Sequence, residues 1–205
     1  MREDRGHQLG DRKTQDFRVA MSAKSRRDQL FKDFQEISSN SSTGVDVLRY
    51  RCLHQPDQLA FTFLKDGETE SDRLTYSELD RRSRAIAGQL QALGASDERA
   101  LLPYPPKLDY IATFFGCLYS GAIAVPAYPP RNQRHAARLQ TAVSVATDSQ
   151  AAIALTTTAI LPQVQSLLAD KIGAIHWLTT DTIPPGIEDT WQKPSIHAET
   201  LAFLL

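Results

Sequence analysis

Two repeating patterns of hydrophobic and polar positions alternate along the chain from about residue 43 onward. Short apolar runs predict strands, and longer stretches with apolar residues three or four positions apart predict helices. The predicted strands are Leu59–Leu64, Arg73–Thr75, Arg99–Leu102, Ala122–Val125, Ala151–Leu155, Ile175–Leu178 and Leu201–Leu205. The predicted helices are Val45–His54, a stretch that follows Thr75, Leu108–Tyr119, Asn132–Ser149 and Ile160–Ala169. Because helices separate most of these strands, we predict parallel βαβ units in a layered α/β fold.

The helix that follows Thr75 has the most complete local signals. Thr75 and Glu78 have the spacing of a capping box, in which each side chain accepts a hydrogen bond from the other residue's backbone N–H. Gly94 supplies a left-handed stop at the other end. The apolar residues between them follow at helical spacing: Leu79, Ile86, Leu90 and Leu93.

The last run, Leu201–Leu205, is apolar and uncharged. A finished domain seldom ends on an exposed hydrophobic strand, because an unpaired strand edge favours aggregation. We therefore expect a strand whose neighbours would be supplied by a longer protein.

Residues 1–42 differ from the rest of the chain. They contain nine Lys or Arg and seven Asp or Glu, and they end in the run Ser38–Ser42. A segment this polar buries too little apolar surface to offset the conformational entropy lost on ordering. We therefore predict that residues 1–42 are a charged, disordered N-terminal segment. The alternatives are a short charged helix over Ser25–Ile37 and a chain that begins at Met21.

Composition and charge exclude several classes of protein. The apolar fraction of 41% and the charged fraction of 23% are typical of a soluble globular domain. A net charge of −1 gives no electrostatic reason to expect a nucleic-acid partner. Cys52 and Cys117 form no C-x-x-C pair and no disulfide framework, and the charged stretch Met1–Gly10 is no signal peptide. These features predict a cytoplasmic protein.

The stretch Tyr110–Pro130 carries no charge over about the length that spans a bilayer. It is nevertheless interrupted by glycines and prolines, so we predict a short buried helix, a tight turn and a buried strand instead of a transmembrane segment.

The chain shows no signature of phosphate or metal binding. The single G-x-x-x-x-G pattern, Gly116–Gly121, is followed by Ala122 where a phosphate loop has lysine, so close packing and a turn explain it better. The five histidines have no metal-ligand spacing, so we expect no metal site.

Two motifs carry a family resemblance. Leu74–Leu79 and Leu118–Pro126, about 40 residues apart, resemble the first and second core motifs of the adenylate-forming superfamily. Each alone also fits a simpler interpretation, a capping box or a turn into a buried strand. Further stretches resemble the fatty acyl-AMP ligase branch: Asp46–Arg51, Tyr104–Pro106, Leu108–Ala112, Phe114–Tyr119, Ala127–Arg131 and Ala154–Thr157. Two departures from the branch are Pro103, which removes a ladder donor, and Lys107, where glycine is common and strain is expected.

The resemblance implies that residues 43–205 are the N-terminal part of an AMP-binding domain and stop before its phosphate loop. The implied reaction is attack of a long-chain fatty carboxylate on the α-phosphate of ATP, giving acyl-AMP and pyrophosphate. Mg²⁺ and basic residues would offset the repulsion between the two anions. The acyl group would then pass to an acyl carrier protein in lipid, polyketide or lipopeptide synthesis.

By this resemblance, the catalytic and nucleotide-binding residues lie outside the 205 residues. We expect this chain alone to bind neither ATP nor Mg²⁺, to be inactive, and to require the C-terminal part of the enzyme as its partner. Two alternatives stay open, namely a segment of a long-chain acyl-CoA synthetase and a non-catalytic remnant or binding module.

Three bulky residues on one predicted helix, Tyr110, Phe114 and Tyr119, are candidates for the wall of an acyl pocket. Their alternative role is ordinary domain core. Arg131 is either a surface charge or a contact to the remaining part of the enzyme.

Overall fold

The computed structural model describes residues 43–128, 136–168 and 173–204. Within them the helices are α1 (Gly44–His54), α2 (Tyr76–Ala92), α3 (Leu108–Ser120), α4 (Ala136–Asp148) and α5 (Leu161–Leu168). The strands are β1 (Leu59–Leu64), β2 (Glu70–Thr75), β3 (Arg99–Pro103), β4 (Ile123–Ala127), β5 (Ile153–Thr156) and β6 (His176–Thr179). Every helix and strand predicted between residues 45 and 178 is present, with ends that differ by a few residues. The predictions for residues 1–42 and 129–135 (Arg131 included), for Ala169 and for Leu205 lie outside the described residues.

Local capping explains where the first two helices begin. The capping box predicted at Thr75 is formed, and a second one joins Thr43 to Asp46 at the start of α1. Gly94 has a φ of 70°, as expected for the residue that ends α2. Leu93, the last apolar residue at helical spacing, lies just after the end of α2 and is 44% exposed.

The main sheet is parallel and has the strand order β4-β3-β5-β6. Strands β1 and β2 form a separate antiparallel hairpin, which contributes Leu74 to the core. The layered α/β architecture predicted from the sequence is therefore confirmed.

Successive residues of the central strands enter two different cores. Ala100 and Leu102 of β3 pack in the larger core with α2 and α3. Leu101, between them, packs in the smaller core with residues of α4 and α5. Because side chains alternate across a strand, helices cover both faces of the sheet.

Helices α2 and α3 approach closely because Gly116 has no side chain. A Cβ atom at this position would lie 2.6 Å from Ile86 Cγ2. The interpretation of this glycine as a packing residue is consistent with that geometry. Gly121, with a φ of 80°, then turns the chain from α3 towards β4.

The strand predicted at Leu201–Leu205 is reduced to a single parallel bridge between Phe203 and Ala124 of β4. The strain expected at Lys107 is wrong, since its φ of −155° is extended backbone that any residue adopts. Pro103 ends β3, and its carbonyl oxygen accepts a hydrogen bond from Thr156 Oγ1 at 3.2 Å.

Candidate functional site

The topology of the parallel sheet marks one position for a binding site. After β3 the chain continues into α3 on one face, and after β5 it continues into α5 on the opposite face. A crevice forms at the carboxyl ends of two neighbouring strands whose connections diverge in this way, and ligands of open α/β sheets bind there. In this chain the crevice lies beside Tyr104 and Thr156–Thr158.

Hydroxyl groups from several elements meet at this edge of the sheet. Tyr104 Oη lies 2.7 Å from Thr180 Oγ1, and Thr113 Oγ1 donates to it at 3.1 Å. Thr180 Oγ1 in turn donates to the Thr156 carbonyl oxygen at 3.4 Å. Burial raises the pKa of the Tyr104 phenol well above its usual range. The cluster is therefore neutral at physiological pH, and it orders the edge without supplying a base.

Asp181 adds a negative charge beside this hydroxyl cluster. Its carboxylate accepts hydrogen bonds from the Thr158 backbone N–H at 2.9 Å and from the Thr158 hydroxyl at 2.5 Å. Partial burial favours the neutral acid, but these bonds outweigh it and hold the pKa of Asp181 below its usual value. Asp181 thus fixes the loop after β5 to the end of β6.

A groove of about 300 Å³ opens next to Asp181. Apolar side chains, including Ile86 and Ile183, form much of it, and two arginines stand at its rim. The lining residues are Arg81, Arg82, Ala85, Ile86, Asp109, Ala112, Thr180, Asp181, Ile183, Pro184, Pro185 and Glu188. Each rim arginine faces a carboxylate, at 3.7 Å for Arg82–Asp109 and 4.0 Å for Arg81–Glu188.

Aromatic rings form a row along α3. Tyr104 and Tyr110 have ring centroids 6.5 Å apart, Tyr110 and Phe114 are 6.2 Å apart, and Phe114 and Phe203 are 5.7 Å apart. The structure therefore brings together two of the three predicted pocket residues, Tyr110 and Phe114, both half-buried. It adds Phe203, which the sequence did not predict as a pocket residue.

Tyr119, the third predicted pocket residue, lies elsewhere. It is fully buried, and its hydroxyl donates to Asp80 Oδ1 at 2.9 Å. Asp80 is 1% exposed and also accepts from Arg49 Nη1 at 2.8 Å and Arg84 Nε at 2.9 Å. Burial, followed by the negative charge of Asp80, raises the pKa of the Tyr119 phenol. The Asp80 cluster thus joins α1, α2 and α3 through one carboxylate.

A segment near the C-terminus, residues 187–196, crosses the outer side of these helices, and we call it the strap. Trp191 of the strap donates from Nε1 to the Tyr119 carbonyl oxygen at 2.7 Å, and its ring lies 5.4 Å from the Arg49 guanidinium carbon. Gly88 of α2 permits the contact, because a Cβ atom there would lie 2.8 Å from Thr190 Oγ1.

Sequence reasoning missed both the Asp80 cluster and the strap. A signal for the first was present, since Asp80 shares the buried side of α2 with Ser83 and Ala87 at helical spacing. A charged residue on that side requires a partner, and Arg84 lies four residues further on. The strap has no periodic pattern, so nothing in the sequence indicated it.

Burial of Cys117 on α3 leads to a pH dependence. Burial raises the pKa of its thiol from 9.0 to about 12, so the folded state keeps the proton where the unfolded state loses it. The stabilisation is fully present below pH 9 and is lost as the pH rises towards 12. We expect the free energy of unfolding, measured with urea, to fall by up to about 1.4 kcal/mol per pH unit above pH 9 from this group.

Cys117→Ala is the matched variant for this measurement, and its slope against pH should be shallower by about that amount. Tyr104 and Tyr119 add a fall of the same sign above pH 10, since their pKa values are also raised. Equal slopes in the two proteins would contradict the assignment to Cys117.

The described residues can position groups and present apolar surface, but they show no assembled catalytic apparatus. No group of three or more His, Cys, Asp or Glu side chains suitable for a metal ion occurs among them. In the described part of the chain, no helix is long and apolar enough to cross a membrane.

Comparison with known proteins identifies close relatives. The family model described as AMP-binding enzyme matches residues 48–205. The medium-chain-fatty-acid–[acyl-carrier-protein] ligase JamA of Moorena producens is 42% identical over 166 residues, which cover 80% of this chain and 28% of JamA. The long-chain-fatty-acid–AMP ligase FadD32 of Mycobacterium marinum is 34% identical over 154 residues, covering 72% of this chain and 24% of FadD32. The chain therefore spans about a quarter of the length of the curated relatives it matches.

Solved structures agree with this grouping. The fatty acyl-adenylate ligase from L. pneumophila, crystallised with acyl adenylate and pyrophosphate, superimposes with a TM-score of 0.68 and 37% identity. The match covers 78% of this chain and 27% of that one. VinN, at 21% identity and a TM-score of 0.60, shares the fold alone.

Proposed function

Because this chain belongs to the AMP-binding enzyme family, we propose that it forms the first part of a domain that activates fatty acids as acyl adenylates. The observation that carries the proposal is its likeness, at 37% identity, to a ligase whose crystal structure holds an acyl adenylate and pyrophosphate. The reaction joins a fatty carboxylate to the α-phosphate of ATP and releases pyrophosphate.

The proposed acceptor of the acyl group is an acyl carrier protein. The name of JamA, the relative at 42% identity, specifies such an acceptor and a medium-chain acid, whereas the name of FadD32 specifies a long-chain acid. We therefore propose a long-chain acid as the substrate.

We also propose a cytoplasmic location. The free thiols of Cys52 and Cys117 support it, because cysteines stay reduced in that compartment.

Within this reaction the described residues supply scaffold and pocket wall. Tyr110 and Phe114 present half-buried rings on α3, and Tyr110 lies beside Tyr104 at the carboxyl edge of the sheet. There these rings would contact the methylene groups of an acyl chain. The buried position of Tyr119 favours its alternative role, as core that holds α3 in place behind these rings.

Mg²⁺, where it takes part, would screen the negative charges of ATP and the carboxylate. The described residues offer no ligand cluster for it. The same holds for ATP, because the 205 residues contain no Gly-rich phosphate loop followed by lysine. The chain alone should therefore release no pyrophosphate from ATP, Mg²⁺ and a fatty acid.

The test is a graft in which residues 43–204 replace the equivalent part of the L. pneumophila fatty acyl-adenylate ligase. We expect the graft to release pyrophosphate from ATP only when a fatty acid is present. Its rate should lie within about 100-fold of the parent enzyme's rate, because small misplacements of the reacting groups by distant sequence changes cost about that much. The control proteins are the 205-residue chain and the ligase lacking this part, and both should be silent. A folded, soluble graft without fatty-acid-dependent release would contradict the proposal.

The acceptor is tested with the same graft by supplying either a phosphopantetheinylated acyl carrier protein or coenzyme A. Acyl transfer to the carrier protein alone supports the AMP ligase branch. Transfer to coenzyme A at an equal or greater rate would favour an acyl-CoA synthetase.

A further inference from the structure

Tyr104 is the fixed end of the aromatic row along α3. It is the residue after β3, at the carboxyl edge of the sheet, and it is buried. Its ring centroid lies 6.5 Å from that of Tyr110, one of the two rings proposed as pocket wall. A phenylalanine ring would fill the same space, whereas the buried hydroxyl of a tyrosine requires hydrogen-bond partners. The hydrogen bonds of Tyr104 therefore indicate what its hydroxyl does.

These hydrogen bonds form a chain with one direction. Thr113 Oγ1 donates to Tyr104 Oη at 3.1 Å, and Thr180 Oγ1 donates to the Thr156 carbonyl oxygen at 3.4 Å. Between these two bonds, Tyr104 Oη and Thr180 Oγ1 lie 2.7 Å apart. A hydroxyl carries a single proton, and Thr180 already donates its own, so the proton in this short bond comes from Tyr104.

The chain of hydrogen bonds fixes the helical turn that carries the pocket rings. Thr113 is fully buried, directly precedes Phe114 and lies three residues after Tyr110. Thr180, at the other end, belongs to the turn after β6. Tyr104 therefore holds this turn of α3 twice, through its ring at Tyr110 and through its hydroxyl at Thr113. Thr180 ties the same hydroxyl to the sheet.

A second anchor holds the far end of α3. Tyr119 is fully buried, and its hydroxyl donates to Asp80 Oδ1 at 2.9 Å. It lies five residues after Phe114, more than one helical turn away. Its ring packs on Trp191, with centroids 5.2 Å apart. Each anchor depends on one tyrosine hydroxyl, so the two can be removed separately.

We infer that Tyr104 is a positioning residue for the acyl chain: its hydroxyl fixes the turn of α3 that bears Tyr110 and Phe114, and through these rings it favours longer acyl chains over shorter ones. The inference rests on the proposed function, because it takes the two rings as pocket wall. Each methylene group packed against a fixed ring contributes to binding, and a ring that is free to shift loses part of this contact. A longer chain makes more such contacts, so it should lose more when the hydroxyl is removed.

Tyr104→Phe in the graft with the L. pneumophila ligase tests this inference, since it keeps the ring and removes only the hydroxyl. We expect the KM for tetradecanoic acid to rise about fivefold, roughly the contribution of one hydrogen bond, and that for octanoic acid to rise less than about twofold. The kcat and the KM for ATP should stay within about twofold, because only contacts to the acyl chain change. Thr113→Val should reproduce this split, and Thr113→Ser, which keeps a hydroxyl, should largely preserve the selectivity.

Tyr119→Phe is the matched control, because it removes a buried tyrosine hydroxyl from the same helix. It should lower the Tm at least as much as Tyr104→Phe, since its hydroxyl donates to a carboxylate, yet leave the ratio of the two KM values within about twofold. A general loosening of α3 would change the ratio equally in both variants, and that result would overturn the inference. An unchanged ratio in Tyr104→Phe would overturn it as well.

A binding measurement separates this inference from the proposed reaction. The fluorescent fatty acid cis-parinaric acid is bound to the graft, and tetradecanoic or octanoic acid displaces it. We expect Tyr104→Phe to lose about fivefold in affinity for tetradecanoic acid and less than about twofold for octanoic acid, whether or not the graft forms acyl-AMP.

Failure of the proposed reaction would appear as a graft that binds both acids without releasing pyrophosphate. Equal losses of affinity for the two acids in Tyr104→Phe, or a graft that binds neither acid, would overturn the inference about Tyr104. If Tyr104→Phe does not fold, Thr113→Val decides by the same displacement measurement.

Discussion

Replacing Asp80 with alanine should lower the free energy of unfolding by about 3 kcal/mol, a large share of the 5–15 kcal/mol typical of a domain. The carboxylate is buried and accepts hydrogen bonds from Arg49, Arg84 and Tyr119. Its removal leaves two guanidinium groups and a buried phenol without their shared partner. The expected loss lies at the lower end of the range of stability losses for broken buried ion pairs, because the side chains of Arg49 and Arg84 are 32% and 22% exposed.

Urea unfolding of two further variants makes this measurement specific. Asp109→Ala removes a carboxylate that also faces an arginine, Arg82 at 3.7 Å, but both side chains are exposed, so the loss should be under about 1 kcal/mol. Asp80→Asn keeps the shape and loses the charge, so it should fall between the two. If Asp80→Ala costs no more than Asp109→Ala, the Asp80 cluster does not hold the three helices together.

Removing the Trp191 side chain should have an effect of similar size. Trp191→Ala deletes the ring that packs 5.2 Å from Tyr119 and beside Arg49, and it frees the strap from the helices. We expect a loss of about 3 kcal/mol, within the range for large aromatic truncations. Trp191→Phe keeps a ring but loses the Nε1 hydrogen bond to the Tyr119 carbonyl, so it should cost about 1 kcal/mol.

The two sites share Arg49 and Tyr119, so their effects should not be independent. In a double-mutant cycle, Asp80→Ala with Trp191→Ala should deviate from additivity by more than about 0.5 kcal/mol. Additive losses would show that the strap and the Asp80 cluster stabilise the domain separately.

Local signals in the sequence were sufficient for the helices and strands. The Thr75–Glu78 capping box and the left-handed Gly94 set the two ends of α2, because each acts over only a few residues. The same holds for Gly121 between α3 and β4.

Contacts between distant residues could not be predicted in the same way. Arg49 and Tyr119 lie 31 and 39 residues from Asp80, and no pattern within the sequence pairs them. Trp191 reaches Tyr119 across 72 residues from a segment without periodicity. The region around Phe203 shows a second limit of prediction from local patterns. The sequence predicted a strand there, but a parallel strand forms fully only where neighbouring strands pair with it.

The sequence proposed Tyr110, Phe114 and Tyr119 as pocket residues because they are bulky and lie on one predicted helix. The structure brings the first two together, one helical turn apart, and places Tyr119 in the core. The sequence did not predict the hydroxyl cluster around Tyr104, since its members come from the residue after β3, from α3 and from the turn after β6. Their meeting depends on the strand order of the sheet, which local patterns do not encode.

The most direct test is mass spectrometry of the product formed by the graft from ATP and a fatty acid, before any acceptor is added. We predict a species with the mass of the fatty acyl adenylate, absent without fatty acid and absent with the 205-residue chain alone. A folded graft that yields no acyl adenylate, while the parent ligase does under the same conditions, would contradict the claim that this chain forms the first part of an acyl-AMP-forming domain.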